Sequence, residues 1–173
     1  IVREEDPNFS NATLIKEEAI FDNDGIDRTC PAISPDGKQL AYIADRNKLM
    51  VMDLKTKKTR QLTDGTTHAH RRKGFQAFWS PDSKWIAINY IQPQHDPYGD
   101  IAVINVASGE LTKVTATGYF DEGTRWVMDG NALLFLSERY GMRNHASWGS
   151  HYDVMITFLN KDSYDKFRLS KED

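Results

Sequence analysis

The chain has 173 residues, 39% hydrophobic and 11% aromatic, which suits one domain with a real core and excludes wholesale disorder. Its 25 acidic and 22 basic groups leave a formal charge of -3, so a net-basic surface for nucleic acid is not indicated. One cysteine excludes an internal disulfide and a multi-cysteine zinc site, and no apolar run approaches the ~18 residues of a membrane-spanning helix.

The opening, IVREEDPNFS, begins on Ile1, is acidic and lacks the pattern of a signal peptide, so the chain reads as a piece of something longer. Residues 12–21 (ATLIKEEAIF) read as a single orphan strand. Residues 22–27 (DNDGID) look superficially like a calcium loop. The EF-hand spacing needs glycine sixth and glutamate twelfth, and neither falls there, so an ordinary turn is the plainer reading.

A run ending in Ile33 leads into Ser34-Pro35-Asp36-Gly37-Lys38. This motif recurs after Trp79 as Ser80-Pro81-Asp82-Ser83-Lys84, and in degenerate form after Trp126 as Val127-Met128-Asp129-Gly130-Asn131. The aspartates 36, 82 and 129 stand 46 and 47 positions apart. Proline presets the first central turn position, aspartate suits the next, and glycine accepts a positive backbone angle, so the motif is a hairpin turn. After each turn come two apolar runs: 39–44 (QLAYIA) and 49–54 (LMVMDL), 85–90 (WIAINY) and 101–106 (IAVINV), 132–136 (ALLFL) and 154–159 (VMITFL). Short closing segments follow at 60–63 (RQLT), 112–115 (TKVT) and 167–170 (FRLS).

Four short strands per unit of 46 to 55 residues, three times over, is the signature of propeller blades. The expected fold is all-β: a partial β-propeller of about three four-stranded antiparallel blades plus one orphan strand. The units are 1–24 (the end of a preceding blade), 25–66, 67–118 and 119–173, the last including the start of a linker. The closing stretch 161–173 (KDSYDKFRLSKED) reads either as a fourth strand or as a helical turn.

The residues Phe78-Trp79-Ser80-Pro81-Asp82 and Val51-Met52-Asp53-Leu54 resemble the TolB-type propeller repeat. Residues 136–153 (LSERYGMRNHASWGSHYD), with 158–161 (FLNK) and 164–171 (YDKFRLSK), resemble the propeller segment of bacterial tricorn-like serine peptidases, relatives of carboxyl-terminal-processing proteases. In that family, propellers precede a PDZ domain and a peptidase domain in exported proteins. Nothing here resembles those later parts. The resemblance therefore implies a non-catalytic accessory domain for substrate access or partner binding, in the bacterial periplasm or cell envelope, with no catalytic residue to carry over. The alternative is a protein-interaction propeller of the TolB type with no protease attached.

Strand parity adds an inference of its own. In an up-and-down blade, the links from second to third strand and from fourth strand to the next blade leave on one face. All five histidines (His68, His70, His95, His145, His151) fall in such links, with Arg71, Arg72 and Trp148. The candidate ligand-binding set is His68, His70, Arg71, Arg72, His145, Trp148 and His151, for a peptide or protein ligand. The plainer reading is a solvated polar face. His68-Ala-His70 offers two imidazoles, which His95 or Asp96 could join, but the spacing itself falls short of a three- or four-ligand zinc site, so no metal or cofactor is expected. Guanidinium forks at Arg71-Arg72 suit an oxyanion.

No nucleophile elbow, HExxH or glycine-rich phosphate loop is present, and Ser147 and Ser150 near His145, His151 and Asp153 make no triad by proximity alone. Cys30 is expected to be a buried, inert thiol, and Trp79 and Trp126 are expected to pack between blades. Expected partners are the missing blades and peptidase domain of a parent chain, with self-association through exposed blade edges and no nucleic acid or membrane span.

Overall fold

A computed structural model describes residues 2–3, 15–67, 75–142 and 150–169. Strand β1 (Val2–Arg3) pairs antiparallel with β2 (Ile15–Lys16), and within the described part of 12–21 strand character is confined to that pair. Three antiparallel meanders follow. The first holds β3 (Arg28–Ile33), β4 (Gln39–Ala44), β5 (Lys48–Asp53) and β6 (Thr59–Gln61) in that order. The second holds β7 (Gln76–Trp79), β8 (Trp85–Ile91), β9 (Gly99–Asn105) and β10 (Leu111–Lys113). The third holds β11 (Asp121–Val127), β12 (Ala132–Ser137) and β13 (Asp153–Phe158). The all-β propeller arc expected from the repeat is therefore present.

The first two repeat turns are built the same way. The Ser34 hydroxyl donates to Asp36 Oδ1 at 2.6 Å and accepts the Gln39 amide at 2.9 Å, while Asp36 Oδ1 also takes the Lys38 amide at 3.1 Å. Ser80, Asp82, Lys84 and Trp85 repeat these distances: 2.6, 2.9 and 3.1 Å. The carboxylate replaces backbone partners that the reversal leaves unpaired. These donors, the serine hydroxyl foremost, hold the Asp36 and Asp82 carboxyls below the usual carboxylate range. The third turn lacks serine and proline. It forms a 3-10 turn, Met128–Gly130, with Met128 and Asp129 at positive φ.

The middle strands of the first two blades are largely buried because the blades stack face to face. Ala41, Ile43, Leu49 and Val51 of the first blade meet Ala77, Ile86, Ile88, Ala102 and Ile104 of the second. Ala87, Ile101 and Val103 of the second meet Leu133 and Phe135 of the third. Fully burying each valine, leucine, isoleucine or phenylalanine among them contributes roughly 1.5–3 kcal/mol, so these two interfaces dominate the arc's cohesion. The two tryptophans add direction. Trp79 Nε1–H donates to the Ala32 carbonyl at 2.9 Å, and Trp126 Nε1–H to the Phe78 carbonyl at 2.8 Å. Each indole thus reaches the first strand of the preceding blade.

The third blade has three strands among the described residues, and helix α1 (Lys161–Arg168) follows where a fourth strand was one of two readings. The helix has its own start signal: Asn160 Oδ1 accepts the Ser163 amide at 2.9 Å. Asp162 lies in the first turn, Lys166 and Arg168 in the last, and Lys161 pairs with Asp165 one turn on. Tyr164 and Phe167 stack on Phe158, with ring centroids 5.4 and 5.1 Å away. At the opposite end of the arc, Phe21 meets Tyr42 edge-on at 5.0 Å, and Arg28 lies over Phe21 at 4.2 Å.

Candidate functional site

The meander places the inter-strand links on one face and the repeat turns on the other. The described part of the link face comprises residues 45–47, 62–67, 92–98, 114–120, 138–142 and 150–152. Side chains tie these links together. Asn47 Nδ2 donates to the Gly65 carbonyl at 2.8 Å. The buried Thr67 hydroxyl donates to the Ile91 carbonyl at 2.7 Å and accepts the Ile91 amide at 3.2 Å. Asn89 bridges to the third blade, donating to the Asp121 carbonyl at 3.1 Å and accepting the Thr124 amide at 3.3 Å.

The hub of the face is Asp100, fully buried at the start of β9. Its Oδ2 accepts from Gln92 Nε2 at 2.7 Å and faces His95 Nδ1 at 2.9 Å, while its Oδ1 accepts the Thr117 amide at 3.1 Å. The Thr117 hydroxyl continues the chain to Asp121 Oδ2 at 3.0 Å. A buried carboxylate with several donors is held in place and stays compatible with burial. It also sets the histidine. With Nδ1 donating to the carboxylate, the half-exposed imidazole is left with Nε2 for an outside partner. Tyr98 and Phe120 stand edge to face at 5.3 Å in the same pair of links. The Tyr90 hydroxyl is pushed up to about 12 by burial first, then by the negative charges of Asp100 and Asp64.

This arrangement offers an oriented imidazole and aromatic surface, which suits recognition of a polar chain end or side chain. Of the residues expected to bind, His68, His70, Arg71, Arg72, His145 and Trp148 lie outside the described residues. His151 is described and exposed, and its amide donates to the Met142 carbonyl at 2.9 Å. Gly141 is required beside it, because a Cβ there would run into the His151 carbonyl. The sequence places His95 among the link-face histidines and as an extra metal ligand, outside the candidate ligand-binding set. Its pairing with Asp100, five residues on, carries no sequence signature. Among the described residues no group of three or more His, Cys, Asp or Glu side chains is arranged to hold a metal ion.

The other motifs resolve into structural roles. Asp24 accepts the Ile26 amide at 3.1 Å and grips Arg28 through both oxygens, at 2.8 and 2.6 Å. The Arg28 contact foremost keeps its carboxyl far below the usual range, so the DNDGID segment is an arginine-anchored turn. Cys30 is half-buried rather than buried, because it sits at positive φ where the register between β3 and β4 slips. Trp79 and Trp126 do pack between blades, and with Ala32, Ile33, Phe78 and Arg125 they line a shallow groove along the first strands.

No protein-family model and no curated protein matches the chain. Solved structures do. The crystal structure of the tricorn protease is similar at TM-score 0.60 and 17% identity, over 77% of this chain and 14% of that one. A putative TolB from Agrobacterium tumefaciens is similar at TM-score 0.54 and 21% identity, over 81% of this chain and 48% of that one. The AtxE2 isopeptidase with astexin3-dC4 bound is similar at TM-score 0.55 and 14% identity, over 78% of this chain and 29% of that one. The chain spans less than half the length of each of these structures. Among the described residues no helix is long and apolar enough to cross a membrane. Strand order, blade stacking and these likenesses agree: the chain has the fold of an arc of a TolB-like β-propeller, of the kind also found in the tricorn protease.

Proposed function

We propose that the chain is a non-catalytic propeller domain of an exported, tricorn-like serine protease, working on substrate access or partner binding at its link face. The observation that carries this reading is the likeness to the tricorn protease over 77% of the chain, alongside the tricorn-like stretch at 136–153. The link face supplies the means. Asp100 holds the half-exposed His95 in the same links as Tyr98 and Phe120, and strand parity in the sequence is what assigns His68, His70, Arg71, Arg72, His145, Trp148 and His151 to that face as candidates. Imidazole and guanidinium groups suit the carboxylates of peptides, and aromatic rings suit their side chains. The bacterial periplasm or cell envelope is the setting this reading implies.

The test is titration of fluorescent peptides from a casein digest into the purified chain. Binding should weaken at least about fivefold in His95→Ala and in Arg71→Ala/Arg72→Ala, about 1 kcal/mol each, and persist in the turn-face variant Thr56→Ala. The chain itself should not cleave the peptides. Hydrolysis by clean protein, or binding indifferent to the link-face variants, would overturn the reading. The TolB likeness, over 48% of that chain, favours a second reading in which the same face binds a protein partner and no protease is attached. A peptidase region encoded with the chain decides for the first reading, and its absence for the second.

A further inference from the structure

The first two blades close on a fourth strand, and both do so with the same contacts. Asp53 and Asn105, at the ends of β5 and β9, accept turn amides through their side chains. Asp53 takes those of Lys55 and Thr56 at 3.1 and 2.7 Å, and Asn105 those of Ala107 and Ser108 at 2.9 and 3.0 Å. Beyond the fourth strand, the Leu62 amide donates to the Leu49 carbonyl and the Val114 amide to the Ile101 carbonyl, each at 2.8 Å. A threonine hydroxyl ends the pairing: Thr63 accepts the Leu49 amide and Thr115 the Ile101 amide, both at 2.9 Å.

The third blade has only the receiving half of this arrangement. By register with the middle strand, Phe158 stands where Asp53 and Asn105 stand, Val154 where Leu49 and Ile101 stand, and Asp153 where Asp100 stands. A phenylalanine cannot accept turn amides, so the chain does not double back along β13. It leaves as α1, whose Tyr164 and Phe167 stack on the face of the sheet at Phe158. The edge of the sheet is a different surface. Among the described residues β13 pairs with β12 alone, and by the same register the amides and carbonyls of Val154 and Ile156 are directed to the open side. That edge is unguarded. β6 and β10 are three residues long and carry Arg60 and Lys113, features that discourage further pairing, whereas β13 offers six residues with Asp153 as its one charge.

We propose that the open edge of β13 is a β-addition site for an extended segment of another polypeptide, with the Val-Thr-x-Thr pattern that Val114–Thr117 shows in the second blade. Main-chain pairing supplies affinity, and two contacts select the sequence. The threonine hydroxyl takes the Val154 amide, as Thr115 takes that of Ile101. The exposed Asp153 carboxylate takes the amide two residues further on, as Asp100 takes that of Thr117 at 3.1 Å, and its charge favours a segment with a cation, as β10 has Lys113. Residues 167–170 of the chain itself (FRLS) fit less well. The turn that would return them lacks its Asx residue, and the helix has its own cap at Asn160. The proposal concerns the outer edge of the third blade and stands whether or not a protease accompanies the chain.

The probe is a synthetic peptide of residues 111–117 (LTKVTAT), titrated into the full chain with hydrogen exchange read at individual amides. Binding should saturate, and exchange at Val154 and Ile156 should slow at least about tenfold. Methylating the peptide nitrogen of Val114 removes the donor to the Val154 carbonyl without altering the protein, and should weaken binding at least about tenfold. Thr115→Ala in the peptide and Asp153→Ala in the chain should each weaken it at least about threefold. Absence of saturable binding, or affinity indifferent to the N-methyl group, overturns the proposal. Protection of Val154 and Ile156 in the free chain overturns it too, in favour of the chain's own segment where it is independent of protein concentration and of a second copy where it grows with concentration. The readout here sits at Val154 and Ile156 and that of the link face at His95 and Arg71/Arg72, so the two readings fail separately.

Discussion

The Ser83 hydroxyl accepts the Asp36 amide at 3.1 Å, tying the second repeat turn to the first, although Ser83 sits at φ 61 where its counterpart is Gly37 at φ 71. A non-glycine residue in the left-handed region is strained, so this serine trades backbone comfort for an inter-blade hydrogen bond.

That trade is measurable. Ser83→Ala keeps the strain and loses the acceptor, and should destabilise the arc by about 1 kcal/mol in urea unfolding. Ser83→Gly loses the bond but relieves the strain, and should stay within about 0.5 kcal/mol of the parent. Equal midpoints for the two variants would show that the contact carries nothing.

The indoles give a second prediction. Trp126→Phe preserves most of the packing on Phe78 and Leu133 but leaves the carbonyl without its donor, costing about 1 kcal/mol beyond the lost area. Trp79→Phe should behave alike. Because the two bonds lie in different interfaces, the double variant should sum the singles within about 0.5 kcal/mol. A double variant no worse than either single would refute independent interfaces.

Acid should find the turns first. The Asp36 and Asp82 carboxyls lie below the usual range in the folded chain, chiefly through the Ser34 and Ser80 hydroxyls. A depressed folded pKa means the stabilisation is present above the unfolded value, near 3.9, and is lost as pH falls below it. Asp82→Asn should therefore lower the neutral-to-alkaline plateau without changing its slope, and flatten the profile between about pH 5 and 2. An unchanged acid limb would assign the acid loss elsewhere.

Asp100 should prove more costly than the histidine it orients. Asp100→Ala strands the Gln92 amide and the Thr117 N–H in a buried site, a loss of about 2–4 kcal/mol by thermal unfolding. His95→Ala, removing a half-exposed ring, should cost under about 1 kcal/mol. The reverse order would mean that the network serves the ring rather than the fold.

The local chemistry was legible because it is local. Serine, aspartate and the residue two beyond close the repeat turn within six residues, so Ser34–Gln39 and Ser80–Trp85 could be read from spacing alone. The closing stretch could not, because 161–168 has a cap at Asn160 and a helical ion pair yet enough aromatics for a strand. The choice was made by Tyr164 and Phe167 packing on Phe158. The link-face hub was hidden for the same reason. His95 and Asp100 are ordinary residues until the reversal into β9 turns them toward one another.

A small, acid-leaning chain with one cysteine was already an arc of blades by its repeat. The 46- and 47-residue spacing and the period-2 apolar runs depend only on turn chemistry and on the alternation of side chains along a strand. Which surfaces of that arc are closed was a matter for the tertiary structure. Phe21 packs on Tyr42 at one end and Val154 and Leu136 stand exposed at the other, and those facts depend on which segments return to pack across distances no local pattern encodes.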